Sequence, residues 1–185
     1  MAKNKFDFDA VSKWAEINID KFSRPAKYTK FNSGQSNPTY LVETSQKKYV
    51  LRKKPEGKLL KSAHAVDREY RVQLALQNSE VPVPRMAAFC SDLSILGTEF
   101  YIMDHIEGTC FEDPRLNIVV KDCRYSIFEE MSTILAKIHK VDLLKVGLSD
   151  FGPGDNYFSR QITRWTKQYL SSETDKIEKM DQLIK

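Results

Sequence analysis

Arg52 stands in a run of strand-forming residues, Tyr49-Val50-Leu51-Arg52-Lys53. A guanidinium on a sheet face must be paired or must reach an anion, because an uncompensated charge removed from water is costly. Glu69 follows on a segment of helical period, on the side continuous with Val66 and Tyr70, so the two groups are placed to pair across a sheet-helix interface. Such a pair fits an ordinary structural salt bridge and equally a basic group held ready for phosphate. Ahead of both lies Ser33-Gly34-Gln35-Ser36-Asn37-Pro38, a short loop between two strand-like runs. Because it joins strand to strand, it is neither a Walker loop nor a dinucleotide-binding turn, both of which set phosphate at a helix N-terminus. Backbone N–H groups opened by Gly34 and the hydroxyl of Ser36 could still cover phosphates, and a plain hairpin turn accounts for the same residues.

The elements that must position these groups follow from periodicity. Asp9 is placed to cap a first short helix carrying Val11, Trp14 and Ala15 on one face. Residues 26 to 33 and 38 to 44 are rich in aromatic and β-branched types and flank the loop, which predicts a hairpin, and 48 to 53 supply a third antiparallel strand. Ser62 is a fitting N-cap for a helix to about Asn78 with Val66, Tyr70 and Leu74 in register, and Pro82 and Pro84 stop it. Strands at 85 to 90 and 98 to 106, joined by a turn containing Gly97, complete a five-stranded antiparallel sheet with one helix inserted after the third strand. Beyond Gly108 the pattern turns helical: Tyr125, Phe128, Met131, Ile134, Leu135 and Ile138 share a stripe, as do Ile162, Trp165 and Tyr169. The tail has a Ser cap, early acids and the stripe Ile177, Met180, Ile184, and it stops within that pattern, as in a chain cut short. The expected organisation is a lead-in at 1–24, a sheet lobe with its hinge at 25–108, and an incomplete helical lobe at 109–185.

Composition narrows the function classes. The chain has 185 residues, 41% hydrophobic and 29% charged, with seven Gly and seven Pro, as in ordinary globular proteins. No apolar run is long enough to span a bilayer, and the N-terminus lacks an apolar signal region. Three cysteines, Cys90, Cys110 and Cys123, without CxxC spacing, fit free thiols, so the chain is expected to be intracellular. Net charge is +4, but residues 46 to 71 hold nine Lys or Arg against three Asp or Glu, leaving the rest slightly acidic. That basic stretch fits a solvated surface or a nearby polyanion. It lacks the interleaved aromatics of a nucleic-acid binder, so nucleic acid is not expected as a partner.

The order of these elements is that of the amino-terminal lobe of protein kinases, in which a strand basic residue held by a helix glutamate grips the phosphates of ATP. Phe100 to Gly108 would then be the fifth strand and hinge, with backbone groups of Asp104 and Ile106 facing an adenine and Met103 walling its pocket. The runs GQSNPTYLV, YVLRKKPEGKLLKSAHAVDREYRV, VPVPRMAAFCSDLSILGTEFYIMDHIEG and RQITRWTKQY resemble the aminoglycoside-phosphotransferase-like kinase domain found at the N-terminus of acyl-CoA dehydrogenase family members 10 and 11. The resemblance covers nearly all of 6 to 170. It implies a protein-kinase-like α+β fold that uses ATP with magnesium. It also implies fusion in full-length relatives to a flavin-dependent dehydrogenase, a hydroxy fatty acid or hydroxyacyl-CoA substrate, and a peroxisomal or mitochondrial setting. By that likeness Gly34, Ser36 and Asn37 match the phosphate loop, Arg52 the strand basic residue, Glu69 its helix partner, and Met103 to Ile106 the hinge. Arg52 stands where many kinases have Lys, and it binds by a planar fork rather than a point charge.

The chain departs from the family pattern as well. A His-Gly-Asp catalytic loop with its metal-binding Asn, and an Asp-Trp-Glu-like segment for magnesium, would lie downstream of RQITRWTKQY. None occurs here, so no catalytic or metal-binding residue and no flavin site is assigned, and the chain is expected to be inactive alone. Asp150-Phe151-Gly152 spells a kinase magnesium motif without a catalytic loop ahead of it, and His139-Lys140-Val141-Asp142 is a poor substitute. His64 and His105 read as surface or hinge residues. The other open readings are a non-catalytic nucleotide- or protein-binding module, associating through its last helix with itself or a partner, and a truncated gene product.

Overall fold

The computed structural model describes residues 6–32, 36–55, 57, 64–152 and 154–184. Its strands are β1 (Lys27–Lys30), β2 (Thr39–Glu43), β3 (Lys48–Lys53), β4 (Met86–Cys90) and β5 (Phe100–Asp104). They form one antiparallel sheet in the order β1-β2-β3-β5-β4. Helix α1 (Phe8–Asn18) precedes the sheet, α2 (Val66–Leu76) is inserted after β3, and a short α3 (Leu93–Leu96) links β4 to β5. The expected five strands and inserted helix are therefore present, and α3 replaces the simple turn expected there. It is closed by Asp92, which accepts from the Ser94 N–H at 2.8 Å, and by Gly97 at φ 74°, a left-handed end that glycine adopts without strain.

Alternation along the strands divides the core between two faces. Tyr49 and Leu51 of β3, Tyr40 and Val42 of β2, and Phe100 and Ile102 of β5 turn toward α1 and pack with its Val11 and Ala15. Val50 and Arg52 take the opposite face, where Tyr101 and Met86 meet Val66 of α2. Strand β4 breaks strict alternation: Met86 pairs with Met103 but Ala88 pairs with Ile102, so one extra residue is accommodated between them. This bulge brings Met86 and Phe89 to the same face although they are three apart in sequence.

The first helix starts earlier than expected. Asp7, not Asp9, is its N-cap, accepting from the Ala10 N–H at 3.0 Å, while Asp9 lies in the first turn and pairs with Lys13 at 2.7 Å. A helix is expected from Ser62; α2 begins at Val66 after Ala65, and Ser62 lies outside the described residues.

The chain divides into two compact units, Met1–Leu148 and Ser149–Lys185. The first unit ends with α4 (Lys121–His139) and a turn held by Asp142, whose carboxylate accepts from the N–H groups of Leu144 and Lys145. The apolar stripe of α4 lies open, Tyr125, Phe128, Met131 and Leu135 all being exposed. The second unit holds α5 (Tyr157–Ser172) and α6 (Glu178–Ile184). Ser171 and Ser172 are not the cap expected for the tail: they end α5, both hydroxyls donating to the Gln168 carbonyl. Ile184 of α6 shares a surface groove with Ile162, Thr166 and Leu170 of α5. No helix among the described residues is long and apolar enough to cross a membrane.

Candidate functional site: an arginine held by a saturated carboxylate

Strand pleating turns Arg52 away from the α1 core and toward α2. There Glu69 stands one turn after Val66, the fully buried residue that fastens the helix to the sheet. Arg52 Nε donates to Glu69 Oε2 at 2.8 Å and Nη2 to Oε1 at a longer 3.5 Å, so one edge of the guanidinium lies along the carboxylate. Both side chains keep about a third of their surface, 32% each, so the pair stands at the rim of the interface rather than deep inside it. Arg52 Nη1 also donates to the Thr39 hydroxyl at 3.4 Å, and that hydroxyl donates in turn to the Asn37 carbonyl at 2.9 Å. A guanidinium has five N–H groups. One on each Nη is left without an acceptor among the described residues, so an anion would meet the arginine at its far end.

Glu69 receives more than the arginine. The Asn37 side-chain amide donates to Oε1 at 2.8 Å, and the Tyr101 hydroxyl donates to Oε2 at 3.1 Å. Tyr101 is 1% exposed, and its hydroxyl accepts from Gln73 Nε2 at 3.2 Å. Burial, reinforced by the negative charge of Glu69, pushes its phenol up to about 12. At neutral pH it is therefore a permanent donor. Its ring lies 6.0 Å from that of Tyr70, which lies 5.4 Å from Phe89, so the polar cluster rests on an aromatic floor.

Of the expected site residues, the structure brings Asn37, Arg52 and Glu69 into one network and places Met103 beside Tyr101 on the same face. Asn37, expected on the phosphates, is only 4% exposed, and its amide is used on both sides, by Glu69 and by His64 Nδ1 at 2.9 Å. Ser36 is exposed, and Gly34 lies outside the described residues. Asp104 is the last residue of β5. Its N–H already donates to the Arg85 carbonyl at 2.8 Å and its carboxylate holds Lys47 at 2.6 Å, so that N–H is not available to a base. Ile106 lies past the end of β5 and is exposed. His64 is not a surface or hinge residue: it is half-buried and bonded into the network.

Sequence reasoning missed Thr39, His64, Gln73 and Tyr101. Two left a signal, since Gln73 is one turn beyond Glu69 and Tyr101 is two residues before Met103 on the same strand face. Asp150 and Gly152 are exposed, and among the described residues no group of three or more His, Cys, Asp or Glu is gathered as metal ligands.

Residues 27–185 match the model of the phosphotransferase enzyme family. The chain belongs to that family. It is similar to a solved putative aminoglycoside phosphotransferase from Ralstonia eutropha JMP134, at 41% identity and a TM-score of 0.78, covering 97% of this chain and 52% of that one. The five-stranded antiparallel sheet with its helices is thus the α+β, kinase-like fold of this phosphotransferase family. Among curated proteins it is 45% identical to a probable acyl-CoA dehydrogenase, IBR3, of Arabidopsis thaliana over 93% of the chain and 22% of the relative. It is 42% identical to acyl-CoA dehydrogenase family member 10 of Mus musculus over 95% and 17%, and 39% identical to member 11 of Rattus norvegicus over 99% and 24%. This phosphotransferase-family chain therefore spans about a fifth of the length of the curated relatives it matches.

Proposed function

We propose that these residues form the nucleotide-holding part of a small-molecule kinase, with Arg52 gripping the phosphates of ATP and Glu69 fixing its direction. The observation that supports this reading is the Arg52–Glu69 pair, 2.8 Å apart, on the third strand and the inserted helix of a phosphotransferase-family sheet. Held along one edge by a carboxylate, a guanidinium offers its far end to a phosphate without reorganising, which is the form of charge stabilisation phosphoryl transfer depends on. The adenine is assigned to the space beside Met103, with the backbone of Ile106 as its polar partner in place of the Asp104 N–H. When bound, magnesium would neutralise charge on the phosphates. No step is assigned to it, because the described residues gather no metal ligands.

The acceptor in this reading is a hydroxyl of a hydroxy fatty acid or hydroxyacyl-CoA, in a peroxisomal or mitochondrial protein of fatty acid oxidation. The names of the acyl-CoA dehydrogenase relatives support the acyl-CoA class of that acceptor. Transfer also needs a base at the acceptor hydroxyl. Among the described residues the carboxylate at the site, Glu69, is taken up by its donors, which supports the reading that this chain binds nucleotide without turning it over. Titration of the purified chain with ATP tests the first half: the wild-type chain should bind, and Arg52→Ala should bind about tenfold more weakly through loss of a charge-assisted contact. Equal affinity in the two would overturn the assignment of Arg52, and transfer of labelled γ-phosphate to a hydroxy acid by this chain would overturn the second half.

A further inference from the structure

We propose that Asn37, His64 and Tyr101 are positioning residues, a clamp that fixes Glu69 and through it turns the far end of Arg52 toward a phosphate. The inference rests on the nucleotide reading of the same site and adds residues that reading does not need. Its starting point is the number of donors on one carboxylate. Glu69 Oε1 receives Asn37 Nδ2 at 2.8 Å and Arg52 Nη2 at 3.5 Å, while Oε2 receives Arg52 Nε at 2.8 Å and the Tyr101 hydroxyl at 3.1 Å. A salt bridge that served stability alone would need only the arginine. Here three elements besides α2, the approach to β2, β3 and the start of β5, converge on Glu69.

The chemistry fixes the direction of every bond in the clamp. An ionised carboxylate only accepts, so the NH2 end of Asn37 must face Glu69 and its Oδ1 must face His64. The His64 nitrogen 2.9 Å from that oxygen, Nδ1, must then carry a proton. His64 holds this position with φ 59°, a left-handed backbone that asparagine and glycine accept more readily than histidine does. Tyr101 is oriented from behind by Gln73, one turn after Glu69 on the same helix, so the phenol is aimed at Oε2 rather than free to rotate. Asn37 reaches Arg52 by a second route as well, since its carbonyl accepts from the Thr39 hydroxyl that Arg52 Nη1 touches. The amide of one buried residue thus ties the approach to β2 to the helix that aims the arginine.

The predicted consequence is selective. Loosening the clamp should let the guanidinium swing, which weakens contact with phosphates and leaves contact with the base alone. The test compares binding of ATP and of adenosine by the wild-type chain and by Asn37→Ala, His64→Ala, Tyr101→Phe and His64→Asn. The first three should lose about tenfold in ATP affinity while adenosine affinity is unchanged. His64→Asn should recover most of the loss, because its Nδ2 falls close to the place of the histidine Nδ1 and asparagine tolerates the left-handed backbone. A parallel measurement needs no nucleotide: the Arg52 Nε–H resonance in a proton-nitrogen correlation spectrum, assigned through Arg52→Lys, should be protected from exchange in the wild type. It should fade in the three loosened variants and return in His64→Asn. Equal losses for ATP and adenosine, or an Arg52 resonance that persists in all variants, would overturn the clamp. If the wild-type chain binds no ATP, the nucleotide reading falls, and the Arg52 resonance still decides whether these residues position the arginine.

Discussion

The two faces of the sheet are made by the same strands one residue apart, yet they are built from different chemistry. Toward α1 the face is aromatic and dry. Trp14 meets Phe100 edge-on at 5.1 Å, Phe8 stacks on Tyr28 at 4.4 Å, and Phe22 lies 5.5 Å from Tyr49. Lys53, buried on this face, lies with its ammonium 3.6 Å from the centre of the Phe6 ring. Toward α2 the buried apolar cluster is small, Val66, Met86 and Tyr101, and beside it a carboxylate, a guanidinium, two amides and an imidazole share hydrogen bonds at partial exposure. The contrast shows a division of labour within one layer. The α1 face supplies the free energy that holds the strands, and the α2 face uses that rigidity to keep polar groups aimed.

The largest effect that could break this comparison is a cavity on the α1 face. Phe100 is fully buried, so Phe100→Ala should cost about 3–5 kcal/mol, read as a lower urea midpoint. Tyr101→Phe, the next residue on the other face, loses one hydroxyl and should cost only about 1–2 kcal/mol. Similar losses in the two would mean that the faces share the load. The second test uses alkaline pH. The Tyr101 phenol holds its proton to about 12 when folded, against 10.0 in its ordinary state, so between those values the folded chain binds more protons than the unfolded one. Stability is therefore full below pH 10 and falls as pH rises toward 12, by about 3 kcal/mol from this group. Tyr101→Phe should make the decline shallower without abolishing it, since burial also raises Tyr28, Tyr49 and Tyr70. A decline of the same steepness in Tyr101→Phe would remove Tyr101 from the account. The smallest effect concerns the helix that covers the aromatic face. Asp7→Ala should cost about 1 kcal/mol through the lost N-cap bond, whereas Asp9→Ala, which removes exposed pairs with Lys13 and Arg24, should leave the melting temperature nearly unchanged.

Some of this was legible from residue types and some was not. The third strand is found at Lys48–Lys53, where the strand-forming run Tyr49-Val50-Leu51 and the turn before it predict it. The pairing of Arg52 with Glu69 follows from two periods, two on the strand and 3.6 on the helix, once the helix is known to lie on the Arg52 side. The N-cap is ambiguous in the sequence because two aspartates stand two apart and either fits the composition rule. Only the backbone of the first turn chooses Asp7. The common face of Met86 and Phe89 contradicts simple alternation, since the bulge that produces it has no residue signature of its own.

By itself, the sequence determined the five strands, the helix inserted after the third of them, and the identity of the charged pair. These depend on local periodicity and on residue types that a few neighbours are enough to interpret. Tertiary structure alone decided that Asn37 and His64 join that pair and that Tyr101 supplies a fourth donor. It also decided that the Asp104 N–H is committed to the sheet. Hydrogen bonds between residues about thirty positions apart, such as Asn37 to Glu69 and Tyr101 to Glu69, depend on strand register and helix placement, which no local pattern encodes.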